Sequence, residues 1–110
     1  MKTLMLRKNK YNATKTKVDD ITFDSKAEAK RYDELKLLKR CGEISYFIRQ
    51  PKFDLPGGTS YRADFLVVWE DGHISIEDVK GFKTASFIKA KKQVEALYPI
   101  EIDIIQYGRK

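Results

Sequence analysis

Asp64, Asp78 and Lys80 are the residues of this chain best placed by type and spacing to do chemistry. They lie in two short stretches, Tyr61-Arg-Ala-Asp-Phe65 and Ile76-Glu-Asp-Val-Lys-Gly81. Two carboxylates and a lysine in that order are the working parts of a magnesium-dependent phosphodiesterase. The carboxylates offer hard oxygen ligands to a divalent cation, and the lysine brings positive charge to the place where negative charge develops on the phosphate. The bland alternative is that both acids are solvated strand ends neutralised by Lys80, because Asp-x-Lys alone is a weak motif.

The elements that must position these residues are legible in the pattern around them. Ser60–Trp69 and His73–Val79 are rich in aromatic and β-branched residues and read as strands. Glu70-Asp71-Gly72 between them is a three-residue hairpin loop with Gly in the left-handed position. That loop length sets Trp69 opposite His73 and, counting back, Asp64 opposite Asp78. Side chains alternate along a strand, so Arg62, Asp64, Leu66 and Val68 are expected on one face with Ile74, Ile76, Asp78 and Lys80. Opposed like charges destabilise a sheet, and a bound cation is one reason to keep them. Glu77 is adjacent to Asp78 and points to the other face, toward a helix or a neighbouring strand. Gly81 suits a strand end approached closely by backbone or ligand.

Composition narrows the partners. The 110 residues carry a formal charge of +6, with a pI of about 9.4, which favours a polyanionic partner, nucleic acid before membrane. No apolar run approaches a membrane span, and nothing resembles a signal peptide. One cysteine and one histidine make an intramolecular disulfide impossible and a zinc site untenable. The chain reads as an intracellular, cytoplasmic protein. Cys41 is expected as a partly buried packing residue, and His73, at the turn, as non-catalytic.

Residues 1–20 read as a basic arm, loosely docked or mobile. Its first part, through residue 17, carries six Lys or Arg and no acid. Residues 21–110 form one domain. Ile21–Phe23 reads as a short extended piece. Ser25-Lys-Ala-Glu28 has capping-box spacing and starts a helix that Gly42 stops. In that reading Glu28 is a capping residue, yet it also borders the apolar stripe of Tyr32, Leu35 and Leu38. Ile44–Gln50 reads as a strand, with Phe53–Leu55 as its continuation and Pro56-Gly57-Gly58 as a turn. A second helix spans Lys83 to Leu97, with Lys89, Lys91 and Lys92 off its apolar stripe, and Ile100–Tyr107 forms the last strand. The order is helix, three strands, helix, strand. The final crossover predicts a parallel pair, hence an α/β fold with a mixed sheet flanked by helices.

In these motifs the chain resembles the PD-(D/E)XK nuclease superfamily, whose pattern is an acid at the start of one strand and Asp or Glu-x-Lys on the next, within an αβββαβ core of restriction-endonuclease type. Asp64 matches the first acid, with Ala63 in place of the usual Pro. Asp78-Val79-Lys80 matches the second half, and Glu28 matches the extra acid that many members carry. More closely, the chain is similar to a family of small phage and prophage proteins with stretches like Phe23-Asp-Ser-Lys-Ala-Glu28, Gln50-Pro-Lys-Phe53, Tyr61-Arg-Ala-Asp-Phe65 and Glu77-Asp-Val-Lys-Gly81. That likeness covers nearly the whole chain. Superfamily members in phages include Holliday-junction resolvases.

The resemblance implies a magnesium-dependent DNA endonuclease, with manganese as a substitute ion, acting on branched DNA or as a nicking enzyme in phage recombination or replication. A non-catalytic DNA-binding protein on the same scaffold is the alternative. The implied catalytic residues are Glu28, Asp64, Asp78 and Lys80. The implied metal ligands are Asp64, Asp78, the Val79 carbonyl and Glu28. DNA phosphates are expected on Lys8, Lys10, Arg62, Lys83, Lys89, Lys91 and Lys92. A homodimer is compatible with a substrate that has paired scissile sites.

Overall fold

The computed structural model of the protein describes residues 15–107. Its centre is a four-stranded mixed sheet in the order β3–β6–β7–β8. Here β3 is Ile44–Arg49, β6 Phe65–Trp69, β7 Ile74–Val79 and β8 Ile102–Ile105. β3 and β7 each run antiparallel to β6, and β8 runs parallel to β7. Helix α1 (Lys26–Arg40) precedes β3, and helix α2 (Ala85–Leu97) makes the crossover from β7 to β8. The expected mixed α/β sheet and the helix–strand–strand–strand–helix–strand order of its core are present.

Each face of the sheet has its own apolar cluster because alternation divides β6 between them. Phe65 and Val67 pack with Ala29 and Leu35 of α1 and with Phe23, Ile44 and Val79. Leu66 packs on the other side, where Ile76, Val94 of α2 and Ile102 are buried together. α1 begins at Ser25, whose Oγ accepts from the Glu28 amide at 3.1 Å. It ends with Gly42 at φ 81°, a left-handed residue after the Cys41 cap. There the Glu43 amide closes back on the Leu38 carbonyl. α2 is capped in the same way by Thr84 Oγ1, which accepts from the Phe87 amide.

The hairpin follows the register that its loop demands. Val68 pairs with Ile74, Leu66 with Ile76 and Phe65 with Glu77. Gly72 takes φ 96°, and Trp69 donates to the His73 carbonyl across the turn.

Several expectations fail for physical reasons. Ser60–Trp69 is not one strand. Gln50 enters the left-handed region at φ 58°, and Pro51, which has no amide to donate, turns the chain out of the sheet. The excursion forms a separate two-stranded ribbon of β4 (Lys52–Leu55) and β5 (Thr59–Arg62). Phe53–Leu55 therefore does not continue β3. Arg62 is exposed on this ribbon opposite Lys52, not on the sheet face with Asp64. The end of the expected arm also belongs to the fold, because β1 (Thr16–Val18) pairs with β2 (Ile21–Phe23). The rest of the arm, with Lys8 and Lys10, lies outside the described residues. Cys41, expected to be partly buried, is exposed at the C-cap of α1.

Candidate active site

The site is built where β6 begins and β7 ends. Asp64 sits one residue before β6, at the point where the ladder breaks. Its amide donates to the Glu77 carbonyl (3.0 Å), the residue with which Phe65 is already paired. Two consecutive residues thus address one partner, as in a β-bulge, which re-aims a side chain. Asp64 is turned so that its Oδ2 accepts from the Val79 amide at 2.8 Å. The expected direct opposition of Asp64 and Asp78 is therefore replaced by a closer lock of Asp64 onto the strand that carries Asp78.

Asp78 is 2% exposed, which disposes of the solvated strand-end reading. Lys80 Nζ lies 3.6 Å from Asp78 Oδ1, an ion-pair distance too long for a good hydrogen bond. Asp78 Oδ2 is buried with no hydrogen-bond partner among the described residues. An orphaned buried carboxylate oxygen is costly and calls for an explanation. Burial pushes the Asp78 carboxyl up to about 6, against the pull of Lys80. The Lys80 ammonium lies over the Phe87 ring, 4.6 Å from its centroid, which limits where it can reach.

Glu28 joins them from α1. Its backbone amide is the group that Ser25 caps, and no reciprocal bond from the Ser25 amide to the Glu28 carboxylate occurs among the described residues. The capping box is half made, and the Glu28 side chain is buried against the sheet. Burial first, then the charge of Asp64, raises its carboxyl to about 7, with Asp24 and Asp78 adding to the rise. Asp64 is also raised, by burial, against the Val79 amide and the charges of Lys80 and Arg49. Asp24 and Arg49 are the residues that the sequence reading missed. Asp24 was inside a quoted stretch, whereas nothing local distinguishes Arg49 from any strand arginine.

Glu77 points to the opposite face, as alternation predicts. It receives two hydrogen bonds from Arg31 of α1, both at 2.7 Å. The DNA-binding set divides. Lys83, Lys89 and Lys92 are exposed on the α2 side, and Arg62 is exposed beside Lys52. Lys91 is instead committed to Glu95 one turn along, at 2.9 Å, because that partner also anchors the Ile102 amide and is fixed in place.

Among the described residues no three carboxylate, histidine or cysteine side chains converge as a ready-made metal cluster. The donor set nonetheless fits a hard cation that needs few protein ligands. Asp64 and Asp78 are two carboxylates on adjacent strands, one has a free buried oxygen, and magnesium keeps most of its shell as water and phosphate.

Carboxyls held above their ordinary values have a consequence for stability. Between the unfolded and folded values the folded state holds protons that the unfolded chain has released, so stability falls as pH rises through that interval. For Asp78 it runs from 3.8 to about 6, and for Glu28 from 4.5 to about 7. The carboxyls held low, such as Glu34 and Glu95, act in the opposite sense, but only below their unfolded values. Melting temperature in EDTA is expected to fall from about pH 5 to about pH 7.5, and Glu28→Gln to flatten the upper part of that fall. A melting temperature flat or rising across that range in the unmodified protein refutes the reading.

The fold and the site define a small α/β protein with a cluster of buried carboxyls at the end of a mixed sheet. Among the described residues no helix is long and apolar enough to cross a membrane. The chain belongs to DUF1064, a family described as a protein of unknown function, whose model matches residues 8–106. No curated protein matches it.

Proposed function

We propose that the protein is a metal-dependent endodeoxyribonuclease of the PD-(D/E)XK kind, hydrolysing phosphodiester bonds in branched DNA or nicking duplex DNA. The observation that supports this best is the buried Asp78, with one oxygen unpartnered and Lys80 beside the other. A purely structural carboxylate in that position has no reason to remain unsatisfied.

Asp64 and Asp78 would hold the ion, with the Val79 carbonyl and Glu28 as further ligands. When bound, magnesium or manganese polarises the scissile phosphate and acidifies a coordinated water. Lys80 places its ammonium against the charge that grows on the phosphoryl oxygens. The Phe87 ring and the Asp78 carboxylate hold that ammonium in place. Glu28, raised by burial and then by its acidic neighbours, would accept a hydrogen bond from the attacking water. The Val79 amide keeps Asp64 aimed into the site.

Flanking phosphates would rest on Lys83, Lys89 and Lys92, on Lys8 and Lys10 of the arm, and on the opposed pair Arg62 and Lys52. Two cations set across a ribbon repel each other, and an anion between them removes that cost. Such contacts position DNA and do not read its sequence. The proposal carries with it a cytoplasmic enzyme of phage or prophage origin, working in recombination or replication. A homodimer suits a substrate with paired scissile sites.

A labelled panel of duplex, single strand, flap and four-way junction, incubated with Mg²⁺, Mn²⁺ or EDTA, tests it. Cutting is expected with either metal and none with EDTA, the branched substrates being preferred. Binding without cutting under any metal overturns the enzyme and leaves a non-catalytic DNA-binding scaffold.

A further inference from the structure

On the far side of α1 from Glu77, between the C-terminal half of that helix and edge strand β3, lies an open cleft of about 620 Å³. The helix and the strand each contribute both a ring and positive charge. Tyr32 of α1 and Phe47 of β3 lie edge to face, with centroids 5.8 Å apart, and Phe47 packs in turn on buried Phe65. Around these rings stand Lys36, Lys39 and Arg40 of the helix and Arg49 of the strand.

Lys36 is answered by Asp19, which also accepts from the Tyr32 hydroxyl. The other three cations make no ion pair among the described residues. Lys39 and Arg40 in a last helical turn suit the helix dipole, but the dipole does not account for Arg49. That side chain lies over the Phe23 ring, 5.0 Å from its centroid, and its Nε is buried without a partner. Its charge also opposes the rise of the Glu28 and Asp64 carboxyls, so Arg49 is felt by both the cleft and the acidic cluster. A cationic groove over aromatic rings is the physical form of a single-strand nucleic-acid site, where phosphates meet the charges and bases stack on the rings.

We propose that this cleft holds a single-stranded flank of the substrate. Phosphates lie on Lys39, Arg40 and Arg49, and an unstacked base lies on Tyr32 and Phe47. The inference rests on the nucleic-acid reading above for its class of ligand, and on the cleft alone for its position. It adds a second contact surface, separate from the α2 lysines, and it would favour substrates that carry unpaired strand, such as flaps.

The test is binding of a fluorescein-labelled single-stranded oligonucleotide in EDTA across a salt series, so that cleavage plays no part. Lys39→Ala/Arg40→Ala changes two exposed residues. It is expected to weaken binding roughly tenfold or more at low salt and to reduce the slope of log K against log salt by about 1.4. Phe47→Leu keeps a large apolar side chain but removes the ring, and is expected to weaken binding about fivefold or more with the slope unchanged.

An unchanged slope in the double variant overturns the proposal, as does unchanged affinity in a folded Phe47→Leu protein. The two readings fail separately. A protein that cuts with metal but ignores the double substitution loses only this inference. One that binds through the cleft and never cuts loses only the nuclease.

Discussion

The Asp78→Asn protein is expected to fold, to melt higher than the parent in the absence of metal, and to cut no DNA. The loss of activity follows from the site. On the proposed mechanism the ion that Asp78 would hold supplies several kcal/mol of transition-state charge stabilisation. Each step of about 1.4 kcal/mol is tenfold in rate, so cleavage is expected to drop by a factor on the order of 10³ or more.

The gain in stability follows from the same burial. Asp78 is 2% exposed and its carboxyl is raised to about 6, so its ionised form opposes folding at neutral pH. An amide of the same shape removes that charge but keeps a polar group to satisfy, which leaves a net gain of about 1–2 kcal/mol. In a domain of this size that is roughly 4–8 °C of melting temperature per kcal/mol. DNA binding is expected to stay or tighten, since a negative charge leaves the site. Stability and activity thus move in opposite directions, as at a site kept strained for function. Retained cleavage in this variant sinks the metal assignment. So does loss of DNA binding together with activity while the protein remains folded.

The parts of this site that were legible in the sequence are those fixed by local geometry. Glu70-Asp71-Gly72 dictates a three-residue turn, and the turn dictates the register that brings β6 and β7 together. Ser25 marks the first turn of α1, and alternation sends Asp78 and Glu77 to opposite faces. What escaped depends on contacts between distant residues. No local pattern shows that Gln50 and Pro51 lift the next dozen residues out of the sheet, so Arg62 was placed on the wrong surface. Lys91 is the exception, because its partner Glu95 stands four residues along the same helix, a spacing the sequence does show. Arg49 reads as an ordinary strand residue until the helix and the edge strand enclose the cleft. The ladder break at Asp64 is invisible because a bulge needs no special residue here, and it is this break that turns the carboxylate onto the Val79 amide.

Arg31 shows how a residue outside the chemistry can decide whether the site forms. Arg31→Met is expected to destabilise the protein by about 3–5 kcal/mol, because it strands a buried carboxylate. The Glu77 side chain is 3% exposed, and Arg31 is its charged partner, giving two bonds of 2.7 Å. The same guanidinium holds Glu34, which accepts from the Tyr107 hydroxyl at 2.7 Å, so the clamp ties α1 to β7 and to the end of the chain. Arg31→Lys is expected to recover little, since an ammonium does not match the two-pronged geometry. Arg31→Met with Glu77→Met is expected to restore most of the stability, as an apolar pair of similar size replaces a buried ion pair.

Urea denaturation of the three variants measures this, and full stability in Arg31→Met alone refutes it. The double variant then separates holding the fold from aiming the site. Glu28 lies one turn before Arg31 on the same helix, and Asp78 is next to Glu77 on the same strand. The clamp is therefore placed where it could set the approach of Glu28 to Asp64 and Asp78, through a contact on the opposite face of the strand. A double variant as stable as the parent but slower in metal-dependent cleavage assigns the clamp that positioning role. Parental stability with parental cleavage confines it to the fold.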